Sequence, residues 1–307
     1  MLSVKPWKLD ALVRLFASVL ICSFFLSKIS LALFQFFTGQ PTVHAAALLS
    51  SLAATFVMLL LALFILNRPW PLNRFVRNSV ILLICIYGGA LLLYLSGRIQ
   101  GSPTGVPSPA AYVVLSIASF QGAVLLLVHF FLREHGVSWR EGFGFDKCAL
   151  RSVALGWLAG TGAVPICWGL QTASGLVLKV FDITLPEQEA VHLLRSSHDI
   201  LPRLIIGFAA IVIAPIAEEV LFRGILYPAI KNAGYPRAAL WVSALLFAAI
   251  HMNFATFLPL AALAIGLIWL YEKTDNLLAP IAAHSLFNAA NFAMLFLLDP
   301  LPQTLNR

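Results

Sequence analysis

Nine long apolar stretches dominate the sequence and restrict what the chain can fold into. Most are close to the length of about 20 residues that an α-helix needs to cross a bilayer. Backbone polar groups in lipid must be satisfied internally, which a helix achieves within one segment. The pattern therefore predicts an all-α, polytopic transmembrane bundle of about 8–9 spans. The candidates, of which the third and seventh are short, are Leu15–Phe37, Val43–Leu66, Val80–Leu95, Ala110–Leu132, Val153–Val180, Leu201–Ile230, Ala238–Met252, Phe254–Tyr271 and Leu277–Leu298.

The composition agrees with a membrane protein. Of the 307 residues, 60% are hydrophobic and 11% are charged, whereas a soluble protein carries about 25% charged residues. The net charge of +7 would suggest nucleic-acid binding in a soluble protein. Here the basic residues stand between the apolar stretches, as membrane topology requires. We therefore expect the lipid bilayer as a partner and no nucleic acid, while the oligomeric state stays open.

The loops differ in their content of Lys and Arg. The N-terminal tail and the second, fourth and sixth loops are richer in these residues than the first and third loops. Because Lys and Arg accumulate on the cytoplasmic side, this distribution predicts a cytoplasmic N-terminus. In a bacterium the protein would lie in the plasma (inner) membrane, and nine spans would place the C-terminal tail outside.

One apolar stretch contains three ionisable residues close together, Glu218, Glu219 and Arg223. Ionisable side chains inside a membrane cost about 2.5–3.5 kcal/mol each on insertion scales and usually mark function. Glu219 and Arg223 are four residues apart, so they can neutralise each other on one helix face. That spacing alone could explain both as a structural pair. Glu218 is turned by about 100° from Glu219 and is therefore free to face a cavity.

The later apolar stretches contain their own polar residues. His251 follows Phe247 by four residues, so the phenyl ring could wall the imidazole in place. The last stretch has a polar stripe of His284, Asn288 and Asn291. Each of these residues alone could be a satisfied core histidine or an amide that joins helices by hydrogen bonding.

The depth of these residues favours a shared site. At about 1.5 Å per helical residue, Glu218 and His251 both lie about 20 Å from the nearest basic loop. His284 and Asn288 lie about 14 and about 20 Å from Asp275. A carboxylate and an imidazole that converge on one water give general-base chemistry. An imidazole with an amide can hold the oxyanion of a tetrahedral intermediate, so the pattern suggests water attack on an amide.

Three motifs carry a family resemblance: EEVLFR (218–223), FAAIH (247–251) and HSLFN (284–288). Together and in this order they resemble the motifs of the CAAX-protease and bacteriocin-processing (CPBP, or Abi) intramembrane endopeptidases, a polytopic α-helical family. The resemblance covers residues 201–298. We interpret this region as the catalytic helical core, residues 1–200 as an N-terminal transmembrane region of unassigned role, and residues 299–307 as a short tail.

The resemblance implies a role for each motif residue. Glu218 and His251 would activate the water, and His284 and Asn288 would form the oxyanion site. Glu219 and Arg223 would hold the geometry of the site. From their spacing along the helices, Phe247 and Asn291 are predicted to support it.

The predicted function is therefore an intramembrane endopeptidase of the glutamic type. Its substrate would be a membrane-associated protein or peptide. The alternative is a non-enzymatic transporter, or an immunity or scaffold protein, that uses the same polar cluster for binding or proton relay.

A metal ion is a further alternative. Glu218, His251 and His284 could ligate zinc, because two histidines and a glutamate with an open position form a known catalytic set. The chain has no HExxH motif, and we expect a mechanism without metal or other cofactor.

Overall fold

The structure, a computed structural model, describes residues 2–7, 11–12, 15–16, 121–122, 124–125, 127–145, 147–182, 191, 194–195, 200–251 and 253–298. These residues form helices, turns and short connections without any strand, which confirms the all-α prediction for this part of the chain. The chain divides into two compact units. One unit comprises Met1–Leu9 and Leu132–Arg307, and the other comprises Asp10–Phe131. The candidate site lies in the first unit.

Six helices build the described part of the first unit from Trp139 onward. They are α1 (Trp139–Phe143), α2 (Ala149–Val180), α3 (Ile200–Asn232), α4 (Pro236–Ala249), α5 (Phe254–Thr274) and α6 (Leu278–Leu298).

Four of the helices are long and apolar enough to cross a membrane, namely α2, α3, α5 and α6 up to Phe296. They correspond to four of the predicted spans. The predicted seventh span is a shorter apolar helix, α4. Apart from Leu15 and Phe16, the first three predicted spans and the start of the fourth lie outside the described residues, so the count of nine stays a prediction.

Two π-helical turns interrupt the α-helical hydrogen bonding of helix α3. Its α-helical parts are Ile200–Phe208, Ala214–Glu219 and Tyr227–Asn232, and π-helical turns over Ala209–Ile213 and Val220–Leu226 separate them. π-Helical turns are rare and are frequent at functional sites. Here they stand on both sides of the short segment that ends with Glu218 and Glu219.

Small residues let α2 and α6 approach closely. A Cβ atom added to Gly156 would lie 2.4 Å from the carbonyl oxygen of Ala279, and one on Gly160 would lie 2.9 Å from that of Ala283. These glycines form a GxxxG pair, which allows membrane helices to pack backbone to backbone. This packing sets the position of α6 immediately before His284.

Helix α1 is short and capped at both ends. The Ser138 hydroxyl accepts a hydrogen bond from the Glu141 N–H, the Glu141 carboxylate accepts one from the Ser138 N–H, and Gly144 ends the helix with φ 74°. Phe143 then packs against Gly224 of α3, where an added Cβ atom would lie 2.5 Å from the phenyl ring. Trp7 of the N-terminal segment is buried beside Phe143. Helix α1 therefore braces the second π-helical turn of α3.

The turn between α5 and α6 is held by Asp275, which adopts a left-handed backbone conformation with φ 47°. Its carboxylate accepts hydrogen bonds from Ser3 and Lys147 and lies 3.9 Å from the Lys5 ammonium. The N-terminal segment, the loop before α2 and the start of α6 thus meet at one carboxylate.

Candidate active site

Glu219 and Arg223 form a fully buried ion pair on α3. The Arg223 guanidinium donates a hydrogen bond of 2.8 Å to Oε1 of Glu219, and both side chains have 0% exposure. The four-residue spacing predicts this pair, and the structure contains it. Oε2 of Glu219 and two guanidinium nitrogens of Arg223 have no hydrogen-bond partner in the described part of the chain. The stability of this buried ion pair therefore depends strongly on the few hydrogen bonds that it forms.

Glu219 also binds the last helix, which the sequence did not indicate. His284 Nδ1 lies 2.9 Å from Oε1 of Glu219. Glu219 is paired with Arg223, and an ionised carboxylate only accepts hydrogen bonds, so the proton is assigned to Nδ1 of His284. One oxygen atom of Glu219 thereby links Arg223 on α3 to His284 on α6. The spacing of residues along the sequence could not reveal this contact, because it depends on where helices α3 and α6 cross.

Glu218 points to a different side of α3 from its neighbour. Its side chain is 21% exposed, and its Oε2 lies 3.8 Å from Nε2 of His284. This distance is too long for a direct hydrogen bond. The two carboxylates therefore contact opposite nitrogens of one imidazole, with Glu219 at Nδ1 and Glu218 near Nε2.

Phe247 lies at the centre of the site and is completely buried. Its ring centroid is 5.0 Å from that of His251 and 5.6 Å from that of His284. The Arg223 guanidinium carbon lies 4.3 Å from the same centroid, in a cation–π contact. The sequence suggested Phe247 as a wall for His251 alone, whereas the structure places three site residues around it. Phe222 packs edge-on against the same ring and had not been singled out.

His251 lies in the turn just after α4. Its Nδ1 is 2.8 Å from the carbonyl oxygen of Phe247. A carbonyl oxygen only accepts hydrogen bonds, so Nδ1 carries the proton and Nε2 keeps its lone pair in the neutral imidazole. His251 is half-buried, which leaves part of the ring accessible to a water molecule.

Asn288 and Asn291 follow His284 on α6 and make different contacts. The side-chain amide of Asn288 donates a hydrogen bond of 2.7 Å to the carbonyl oxygen of Ala210 in α3. The side-chain oxygen of Asn291 accepts one of 2.8 Å from the indole N–H of Trp168 in α2. Asn291 therefore joins two helices, while Asn288 lies beside the first π-helical turn of α3.

The described residues include the three side chains that the zinc alternative requires. Among them, no group of three or more His, Cys, Asp or Glu side chains is arranged to hold a metal ion. Nδ1 of both His251 and His284 is engaged in hydrogen bonding, so a metal ion could bind these rings only through Nε2. The choice between zinc and a metal-free site stays a prediction, and we derive no step through a metal.

The Glu218 carboxylate thus lies near the His284 imidazole, Phe247 contacts the rings of both His284 and His251, and Asn288 follows His284 by one turn. This arrangement defines a candidate hydrolytic site in an integral membrane protein. Residues 200–290 match the family described as type II CAAX prenyl endopeptidase Rce1-like. This match confirms the family resemblance drawn from the three motifs, and it supports a protease role.

Two curated bacterial proteins are similar to this region. UPF0177 protein YxdF of Lactococcus lactis subsp. lactis (strain IL1403) is 33% identical over 89 residues, which cover 29% of this chain and 49% of that protein. Uncharacterized protein YpbD of Bacillus subtilis (strain 168) is 32% identical over 117 residues, 37% of this chain and 56% of that protein. The chain thus spans about half the length of the curated relatives it matches. No solved structure gives a significant match.

Proposed function

We propose that this protein is an intramembrane endopeptidase that hydrolyses a peptide bond of a membrane-associated protein or peptide. Residues 201–298 would form its catalytic core, and the Glu218 carboxylate would be the general base. The observation that carries the proposal is the arrangement around His284. A buried carboxylate binds one imidazole nitrogen, and a partly exposed carboxylate lies 3.8 Å from the other.

In the proposed first step, Glu218 removes a proton from water while the water oxygen bonds to the carbonyl carbon of the substrate. Nε2 of His251 is free to accept a hydrogen bond from the same water, since its Nδ1 is held by Phe247. General-base catalysis by a positioned side chain contributes about 10²–10⁴-fold to a rate. Because Glu218 is only partly exposed, little competing solvent surrounds it.

The carbonyl electron pair moves to oxygen as the new bond forms, and this oxyanion needs hydrogen-bond donors. His284 would supply one through Nε2–H, while its Nδ1–H is bound by the Glu219 carboxylate. Asn288 retains a second amide N–H beside the one bound to Ala210. The intermediate collapses when the C–N bond breaks and Glu218 returns its proton to the leaving amine.

The test is the isosteric substitution Glu218→Gln, which keeps the shape of the side chain and removes the base. Wild type and variant are purified in detergent and assayed for cleavage of a farnesylated CAAX-type peptide. In parallel, membrane peptides from cells that express either protein are compared by mass spectrometry. We expect kcat to fall by about 10²–10⁴-fold, with an unchanged thermal midpoint and with uncut substrates accumulating. A variant that retains wild-type turnover would show that another residue is the base.

The non-enzymatic alternative predicts a different result. Glu218→Ala and His251→Ala are introduced separately, and expression is checked for each variant. A cellular phenotype that survives both substitutions would support binding of a partner. Loss of the phenotype without any change in membrane peptides would support transport, and both results would contradict an endopeptidase.

A further inference from the structure

The carbonyl group of Ala210 in α3 has an unusual hydrogen-bonding partner. In the π-helical turn Ala209–Ile213 the Ala214 N–H donates to the carbonyl of Ala209, five residues earlier. The next donor in this register would be residue 215, which would serve the carbonyl of Ala210. Residue 215 is proline and has no N–H. Pro215 therefore cannot donate the main-chain hydrogen bond that the Ala210 carbonyl would otherwise accept.

Asn288 supplies the missing donor from another helix. Its amide nitrogen lies 2.7 Å from the Ala210 carbonyl oxygen. In a membrane-spanning helix a backbone carbonyl without a partner costs several kcal/mol, because no water replaces the lost bond. Ala210 is itself only half-buried, but it belongs to the most apolar of the four candidate spans.

The π-helical turn controls the direction of the two glutamates. One residue more or fewer in a turn rotates all later side chains by about 100° about the helix axis. The segment Ala214–Glu219 follows the turn directly. A relaxation of the turn to α-helical bonding would therefore turn Glu218 and Glu219 away from His284, which both now approach.

We propose that Asn288 is a positioning residue that replaces the N–H missing from Pro215 and thereby holds the π-helical turn that aims Glu218 and Glu219 at His284. The same bond orients the amide of Asn288, because the carbonyl oxygen requires the nitrogen side of the amide to face Ala210. The other N–H of this amide then has a defined direction. The effect on cleavage rests on the proposed function, whereas the effect on stability does not.

The test is a double-mutant cycle with Pro215→Ala, which restores an N–H at position 215. Wild type, Asn288→Ala, Pro215→Ala and the double variant are purified in detergent. Thermal midpoints are measured for all four, together with kcat and KM on a farnesylated CAAX-type peptide. We expect Asn288→Ala to lower the midpoint by about 2–4 °C when proline is at 215, and by less than half as much when alanine is there. We also expect it to lower kcat with little change in KM, and to lower it about tenfold less when alanine is at 215, where the remaining loss is that of the second amide N–H.

Asn291→Ala provides the matched control, because Asn291 lies one turn further along α6 and bonds to Trp168 rather than to a backbone carbonyl. Its effect on the midpoint should be the same in both backgrounds at position 215. Equal effects of Asn288→Ala in both backgrounds would overturn the proposal. A kcat loss of the same size in both backgrounds would also overturn it and leave the oxyanion site as the sole role of Asn288. If the wild type cleaves no such peptide, farnesylated CAAX-type peptides are excluded as substrates, and the midpoints still decide the role of Asn288.

Discussion

At the scale of single residues, two adjacent glutamates have opposite environments. Glu219 has no exposed surface and binds both Arg223 and His284, while the side chain of Glu218 is 21% exposed and makes no direct hydrogen bond to His284. The 100° turn between neighbouring helical residues produces this difference. Glu219, which belongs to the buried ion pair, and Glu218, the candidate base, therefore have different roles although they are adjacent in sequence.

We expect Glu219→Gln to damage both folding and activity. The substitution leaves the Arg223 guanidinium buried without a counter-charge, a change that costs about 3–5 kcal/mol. It also removes the carboxylate that His284 Nδ1 binds. Expression yield, thermal midpoint and peptide cleavage should all fall, whereas Glu218→Gln should lower cleavage alone.

The double variant Glu219→Gln/Arg223→Met separates the two effects. Replacing the buried ion pair by groups without net charge should recover much of the midpoint, since such replacements are often neutral or stabilising. Cleavage should stay low because His284 still lacks its carboxylate. Recovered cleavage in this double variant would show that Glu219 serves only to neutralise Arg223.

At the scale of helices, the site depends on how closely α2 and α6 pack. The backbone contacts at Gly156 and Gly160 leave no room for a side chain. Ala283, which meets Gly160, immediately precedes His284 on α6. Any displacement of α6 would therefore move the imidazole that both glutamates approach.

We expect Gly160→Leu to force α2 and α6 apart and to abolish most cleavage. An added Cβ atom would already lie 2.9 Å from the Ala283 carbonyl, and overpacking of this kind costs about 1–3 kcal/mol or more. The control is Gly162→Leu, two residues along the same helix, where an added Cβ meets nothing within 4 Å. Thermal midpoint and peptide cleavage are measured for both variants. Similar losses in both would show that close packing against α6 is not the cause, because leucine favours a helix more than glycine does.

At the scale of the first compact unit, Asp275 joins segments that are far apart in the chain. Burial alone would raise the pKa of its carboxyl group. Hydrogen bonds from Lys147 and Ser3 and the charge of Lys5 outweigh burial and hold the pKa below its ordinary value. The charged form therefore stabilises the fold, and this contribution is lost as the pH falls through the lowered pKa.

We expect the thermal midpoint to fall as the pH is lowered from about 5 to below the ordinary carboxyl pKa near 3.8. Asp275→Asn should reduce this dependence and lower the midpoint at neutral pH. Asparagine tolerates the left-handed backbone conformation at this position, so the variant changes charge without adding backbone strain. Midpoints are recorded from pH 3 to pH 7 for both proteins. Parallel pH curves, offset by a constant amount, would contradict a role for Asp275 in acid sensitivity.

Much of the described fold follows from the sequence, because each helix signal is local. The apolar runs predict α2, α3, α5 and α6, and the structure contains these helices within a few residues of the predicted bounds. Their termini differ slightly because polar residues in a terminal turn, such as Arg151 and Ser152 in α2, interrupt the apolar pattern without ending the helix. The candidate site residues are likewise visible as polar exceptions in apolar runs.

The contacts between these residues were decided only by the tertiary structure. The hydrogen bond from His284 to Glu219, the approach of Glu218 to the other nitrogen, and the bond from Asn288 to Ala210 all join α3 to α6 across more than 60 residues of sequence. The sequence by itself determined the helices, their apolar character and the polar residues of the site, since helical periodicity and the cost of charge in lipid act along one segment. The crossing of α3 and α6 and the π-helical turns set which atoms meet, because side-chain direction depends on helix rotation and close packing, which no single segment determines.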